Sequence, residues 1–195
     1  GCPKKLATFL QLLKETAMRS GEAKRLPWTD IDFQRRLITL NEPEKNGLAR
    51  LWNNLSSKLL DMLNALPRTS LKVFGDSSTN AYKVTFFKAR KRLAEKLQNP
   101  RLLQIHFHTL RHWKATMEYH NTKDLLHVMA FLGHKKSDTT LIYIQLDQKL
   151  FKQSEDSFTT KIAHNVDEVA ALVEVGFEYV TGEYNDGGKL FRKRK

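Results

Sequence analysis

One cysteine, Cys2, is the only thiol in this 195-residue chain. That excludes an internal disulfide framework and any cysteine-based zinc site. No stretch approaches the roughly 18–20 continuous apolar residues that a bilayer span requires. Gly1-Cys2-Pro3-Lys4 does not open a basic-then-apolar signal segment either. A reducing, cytoplasmic setting without membrane contact is therefore expected. Internal repeats and low-complexity tracts are absent. So is the phosphate-cradling pattern Gly-x-x-x-x-Gly-Lys-Ser/Thr, and carboxylates are not clustered as a two-metal site demands. Acidic charge is scarce as well: 21 Asp+Glu against 33 Lys+Arg leave a formal +12, and the isoelectric point lies near 9.8. Such an excess suits a solubilising surface, but it also favours polyanionic partners, nucleic acid first.

A hydrophobic fraction of 41% is ordinary for a soluble globular protein. The length allows one medium domain with room for an appendage. Leu6, Phe9, Leu10 and Leu13 recur at helical spacing and predict an amphipathic helix over 4–16. A second short helix is expected from Ser20 to Leu26, stopped by Pro27. Arg36 to Leu40 reads as a strand and Leu48 to Trp52 as its partner, with Asn46-Gly47 as the hairpin turn and Lys45 at the tip. Further helices are expected at Ser56–Leu66, Thr79–Leu97, 108–120, 124–132 and from about Ser137. Gly133 caps the one that ends there. After about residue 155 the character shifts. A helix over Val166–Val175 precedes Gly176, and Phe177–Val180 with Lys189–Arg192 form a small hairpin across Asp186-Gly187-Gly188. The closing Arg192-Lys193-Arg194-Lys195 run reads as a loose basic end.

His106, His108, His112, His120, His127 and His134 crowd into residues 106–134. His108 and His112 stand at i and i+4, yet no His-Glu-x-x-His grouping or cysteine partner accompanies them, so the spacing speaks against a metal. A different grouping is more specific. His108-Thr109-Leu110-Arg111 puts His108 and Arg111 on one helix face. Leu132-Gly133-His134 then presents a histidine from a tight turn, and Tyr143 follows one helix later. Arg19, at the junction of the first two helices, and Lys45 are further basic groups. Each is ordinary alone, since an isolated cation in so basic a chain is usually solvated.

Together, the series Arg19…Lys45…His108-x-x-Arg111…His134…Tyr143 resembles the active site of the tyrosine recombinase (phage integrase) superfamily. The wording Phe107-His-Thr-Leu-Arg-His-Trp-Lys-Ala-Thr116, Leu132-Gly-His134 and Gly176-Phe-Glu-Tyr-Val180 is similar to the branch from archaeal plasmids and viruses. The resemblance implies an α+β, mainly α fold, a helical catalytic domain with a small antiparallel sheet. The catalytic domain is expected over 1–155, with a helix-plus-hairpin extension over 156–195 packed on or beside it. The family's usual N-terminal DNA clamp is missing, so a fragment of a longer protein is expected.

The chemistry implied is transesterification of DNA onto Tyr143 and back, with double-stranded DNA and other recombinase subunits in a tetrameric synapse as partners. A phenol ionises near about 10 and is a weak nucleophile at neutral pH, so it needs a base or a cationic field. Arg19 and Arg111 are assigned to fork onto the non-bridging phosphate oxygens, and His134 to hydrogen-bond the same phosphate. His108 is assigned to accept or relay the tyrosine proton, and Lys45 to protonate the departing 5′ oxygen. Glu22, three residues beyond Arg19, reads as an orienting carboxylate. The phosphotyrosyl bond conserves the energy of the broken phosphodiester, so no cofactor is expected. Lys83, Lys88, Arg90, Lys91 and Arg92, on the basic helix 79–97, are expected to contact the DNA backbone. A type IB topoisomerase and a non-catalytic DNA-binding protein are the alternatives.

Overall fold

The computed structural model describes residues 2–151, 158–181 and 187–194. They form two compact units, one reaching to Leu150 and one beginning at Phe151, a boundary a few residues before the expected one. Among the described residues no helix is long and apolar enough to cross a membrane.

In the larger unit, α1 (Lys4–Thr16) buries Leu6, Phe9, Leu12 and Leu13. Phe9 sits at the centre of an aromatic cluster, 4.8–5.3 Å from the rings of Phe74, Tyr82 and Phe107. The helix stops where Ala17 turns left-handed at φ 52°, and the chain re-enters α2 (Ser20–Arg25) with Arg19 at its N-cap. A three-stranded antiparallel sheet follows in the order β1 (Ile31–Asp32), β2 (Leu37–Leu40), β3 (Arg50–Trp52). Its register pairs Ile38 with Trp52 and Leu40 with Arg50, which puts Ile38, Leu40 and Trp52 into the core. α3 (Ser57–Asn64) begins at Ser56, whose hydroxyl accepts from the Leu59 N–H.

α4 (Thr79–Lys96) leaves Lys83, Lys88, Lys91 and Arg92 exposed, as a backbone-contacting face requires. Arg90 departs from that expectation. It is buried, lies over the Phe86 ring, and donates to the carbonyls of Leu103 and Ile105. Its guanidinium ties α4 to the approach to α5 and is not available as a DNA contact.

The remaining helices carry the site. α5 (Phe107–Thr122) is followed by α6 (Leu125–Leu132), whose N-cap Asp124 accepts from the N–H groups of Leu126 and His127. Gly133 closes α6 at φ 67°, a conformation glycine adopts without penalty. α7 (Asp138–Phe151) packs Tyr143 among Ala17, Ala115, Val128 and Leu132. One turn on, Asp147 holds the same face of α7 to α5. Its carboxylate lies 2.7 Å from His120 Nδ1 and accepts from Lys123 Nζ.

The smaller unit is a sheet in the order β4 (Phe158–Ala163), β6 (Lys189–Arg194), β5 (Glu178–Thr181), with α8 (Val166–Glu174) closing a core of Ala163, Leu172, Phe177 and Phe191. The expected hairpin is there as β5 and β6, although its turn residue Asp186 lies outside the described residues. The basic run is not a loose end: Arg192, Lys193 and Arg194 pair with Thr160, Thr159 and Phe158 of β4. Lys195 lies outside the described residues.

Candidate active site

Arg19 reaches the site from a left-handed bend and a helix cap, and a buried carboxylate sets its direction. Glu22 has no exposed surface. It accepts from the Arg19 N–H at 2.7 Å, from Arg19 Nη1 at 3.0 Å, from the Glu44 N–H at 3.1 Å and from Arg50 Nη2. Burial alone would raise its pKa, but Arg50, the two N–H donors and Arg19 outweigh that cost and hold the carboxyl below its usual value. The orienting role read from the i+3 spacing therefore has a larger object. Glu22 joins α2, the β2–β3 loop and Arg50 of β3.

The β2–β3 connection differs from the expected two-residue hairpin. The strands end at Leu40 and resume at Arg50, and the turn inside this loop is centred on Lys45 and Asn46, both left-handed at φ 55° and 53°. The Gly47 N–H closes the turn on Glu44 O at 3.1 Å. Asn46-Gly47 is thus displaced by one position from the turn centre. Glycine at 47 serves a close approach instead: a Cβ there would stand 3.1 Å from the Gly133 carbonyl oxygen and 3.2 Å from that of Glu44. The neighbouring Leu48 N–H donates to Gly133 O at 3.2 Å, which docks the lysine loop on the end of α6.

The same helix end receives two arginines. Arg50 Nη1 donates to Leu132 O at 2.9 Å, and Arg111 Nη2 donates to the same oxygen at 2.8 Å. Arg111 also donates to Ala17 O through Nη1 and lies 3.1 Å from His134 Nε2. It is 2% exposed. Burial, then the nearby Arg19 and Arg50, lower its pKa to about 10, so it stays charged at neutral pH. Because guanidinium can only donate, His134 Nε2 must accept. The proton then sits on Nδ1, which donates to Thr140 Oγ1 at 2.9 Å. Burial and then Arg111, Arg19 and Arg50 push the His134 pKa down to about 4, in keeping with a neutral ring.

Tyr143 is 2% exposed, and its hydroxyl lies 3.3 Å from His112 Nδ1. Burial raises the phenol pKa, and the charges of Arg111 and Arg19 offset part of the rise. The His112 ring meets that of His108 edge-on, at 4.4 Å between centroids. Both imidazoles have lowered pKa values, first through burial and then through neighbouring groups, His112 for His108 and Arg111 for both.

Arg19, Lys45, His108, Arg111, His134 and Tyr143 all line one open cleft of about 460 Å³. The sequence reading missed other members of its wall: His112, Lys135, Lys136 and Thr139. It also missed Arg50 behind the wall, although alternation places it on the buried face of β3 with Trp52. The i,i+4 pairing of His108 and His112 is visible in the sequence, but there it bears only on a metal, against which the missing partners speak. The lining residues carry cationic side chains and no carboxylate, so the cleft suits an anion that meets a buried phenol.

The phage integrase family model matches residues 2–149. The chain is 28% identical over 172 residues to tyrosine recombinase XerC of Chlamydia trachomatis serovar L2, covering 82% of this chain and 51% of that protein. It thus spans about half the length of the curated relatives it matches. Among solved structures, XerA recombinase superimposes with a TM-score of 0.62 at 20% identity, over 78% of this chain and 57% of that one. The Tn1549 transposon integrase, solved in complex with transposon right end DNA, gives 0.61 at 15% identity, over 87% and 58%. These likenesses establish the fold, and the match across most of the length establishes the kinship: the chain belongs to the phage integrase family.

Proposed function

We propose that this protein is a site-specific DNA recombinase that cuts and rejoins strands through a 3′-phosphotyrosyl bond to Tyr143. The observation that carries the reading is the convergence of Arg19, Lys45, His108, Arg111 and His134 on the one cationic cleft that Tyr143 also lines. Arg19 and Arg111 bind the non-bridging oxygens of the scissile phosphate. Three of the five N–H groups of Arg111 are taken by Ala17, Leu132 and His134, so donors remain for an anion. Preorganised donors of this kind stabilise charge that develops in the transition state without reorganising. His134 turns from its contact with Arg111 to the phosphate as the anion favours its protonated form. Lys45, exposed on its docked loop, supplies the proton to the 5′ oxygen. Lys83, Lys88, Lys91 and Arg92 hold the duplex backbone.

The DNA complex of the Tn1549 integrase supports duplex DNA as substrate. Exchange between two duplexes requires several subunits, and a tetrameric synapse is our reading of the assembly. The wording around Phe107–Thr116 and Gly176–Val180 supports an origin in an archaeal plasmid or virus. The catalytic portion covers 1–155, with 156–195 as an extension.

A pool of nicked duplexes of randomised sequence tests the reading, because release of a short 5′ fragment traps the covalent intermediate. The protein should form an adduct that peptide mass spectrometry assigns to Tyr143, and Tyr143→Phe should form none while binding DNA as before. Adduct from the Phe variant, or from a different residue, overturns the assignment.

A further inference from the structure

We infer that His112, beside Arg111 on α5, takes the Tyr143 proton during cleavage and returns it during rejoining. The inference rests on the recombinase reading and moves within it a role that the sequence had placed on His108.

Geometry carries it. Tyr143 Oη lies 3.3 Å from His112 Nδ1, and the two rings stand 5.8 Å apart, tilted by 49°. His108, His112 and Arg111 occupy i, i+4 and i+3 of one helix and share a face. Burial falls in order along the path: Tyr143 is buried, His112 is intermediate and His108 is exposed. The chain of rings therefore runs from an enclosed phenol to solvent, and it is His112 that touches the nucleophilic oxygen.

The ionisation states agree with the direction of transfer. His112 has its pKa lowered by burial and then by Arg111, and the tautomer with its proton on Nε2 offers the Nδ1 lone pair to the phenol 3.3 Å away. Tyr143, with its pKa raised by burial, does not ionise beforehand. Transfer accompanies attack: the Tyr143 oxygen bonds to phosphorus as its proton moves to His112 Nδ1. The bond from phosphorus to the 5′ oxygen breaks, and that oxygen leaves as a hydroxyl with a proton from Lys45. His112 becomes an imidazolium as Lys45 becomes neutral, so the charge of the site is unchanged. In rejoining, the 5′ hydroxyl attacks, its proton returns to Lys45, and His112 protonates the departing Tyr143 oxygen.

The test is single-turnover cleavage of the captured nicked duplex across pH 6–10. Around His112 stand Arg111 and His108 on α5, Arg19 before α2, Lys45 on the loop, His134, Lys135 and Lys136 after α6, and Tyr143 on α7. His134 and Lys45 act alike in the parent and both variants, so a difference between profiles reports the base. The parent rate should reach a plateau above about pH 6.5, the ordinary histidine value. His112→Asn keeps a hydrogen-bonding group but cannot take a proton. It should cleave about 10²-fold more slowly at pH 7, as loss of a general base predicts, and recover about tenfold per pH unit as hydroxide replaces the base. His108→Asn should lose no more than about tenfold and keep the parent profile. If His112→Asn unfolds, His112→Ala with added imidazole is read instead, and the rate should rise with imidazole concentration. A His112→Asn variant at the parent rate, or the steep profile in His108→Asn instead, overturns the inference alone. No adduct from the parent protein overturns both this inference and the recombinase reading.

Discussion

Replacing Glu22 by Gln keeps the shape of the side chain and removes one charge from the centre of the support beneath the site. The carboxylate faces two guanidinium groups, and Arg50 is itself buried, with its charge balanced at hydrogen-bond distance by Glu22. Breaking a buried pair from one side costs about 3–5 kcal/mol, because the remaining charge stays out of water. For a domain of this size each kcal/mol lowers the melting temperature by about 2–4 °C. Thermal unfolding followed by circular dichroism at pH 7 should therefore show a fall of roughly 6–20 °C. The double variant Glu22→Gln/Arg50→Met removes both charges. Leu132 O retains Arg111 as its donor, so at least half of the lost stability should return. Activity should not return with it, because Arg19 still lacks its carboxylate and small misplacements of a positioning group cost about 10²-fold in rate. Because the folded carboxyl lies below its ordinary pKa, its contribution is complete above about pH 4.5 and disappears as pH falls further. The deficit of the Gln variant should close in that acid range. A Gln variant that melts within about 2 °C of the parent refutes the argument, as does a double variant less stable than the single one.

The His134 ring, shifted down to about 4, makes the folded protein bind fewer protons than the unfolded chain between pH 6.5 and 4. Stability should be complete above pH 6.5 and decline through that window. His134→Gln should flatten the decline in stepwise urea titrations, leaving the smaller slopes of His108 and His112, and an unchanged slope counts against the assigned tautomer and burial. Lys45→Ala should cleave ordinary DNA very slowly but a 5′-bridging phosphorothiolate nearly as fast as the parent, since sulfur departs without a proton. A defect that sulfur does not rescue means that Lys45 holds the loop or the DNA.

The helices were legible because each buries one face, so apolar residues recur at 3.6-residue spacing and caps such as Ser56 and Gly133 mark the ends. Other parts of the fold had no local signal. β1 is two residues long and has no alternation to detect. β4 was hidden because threonine and lysine occupy much of Phe158–Ala163, and its pairing with β6 is a long-range fact. Among the cations, sequence could not separate Arg90 from the solvated majority, and alternation with Trp52 was the only signal for Arg50, because what binds them is a carbonyl or a carboxylate far along the chain. The six motif positions were legible as a set. His112 was not, since its meaning depends on where α7 sets down the Tyr143 hydroxyl.

The two carbonyls at the end of α6 have a mechanical consequence. Leu132 O anchors Arg50 and Arg111, Gly133 O anchors the loop that bears Lys45, and His134 is the next residue in the chain. The negative end of a helix draws cations and N–H donors to it, and here it serves as a surveyor's benchmark from which three reacting groups take their positions. Groups referred to one benchmark keep their spacing when it moves. The phenol helix is tied to the same mark, since His134 Nδ1 donates to Thr140 Oγ1 of α7 and Tyr143 packs on Val128 and Leu132 of α6. An error in the placing of this one helix end is therefore shared by arginine, imidazole, lysine and phenol alike, and their mutual spacing survives it.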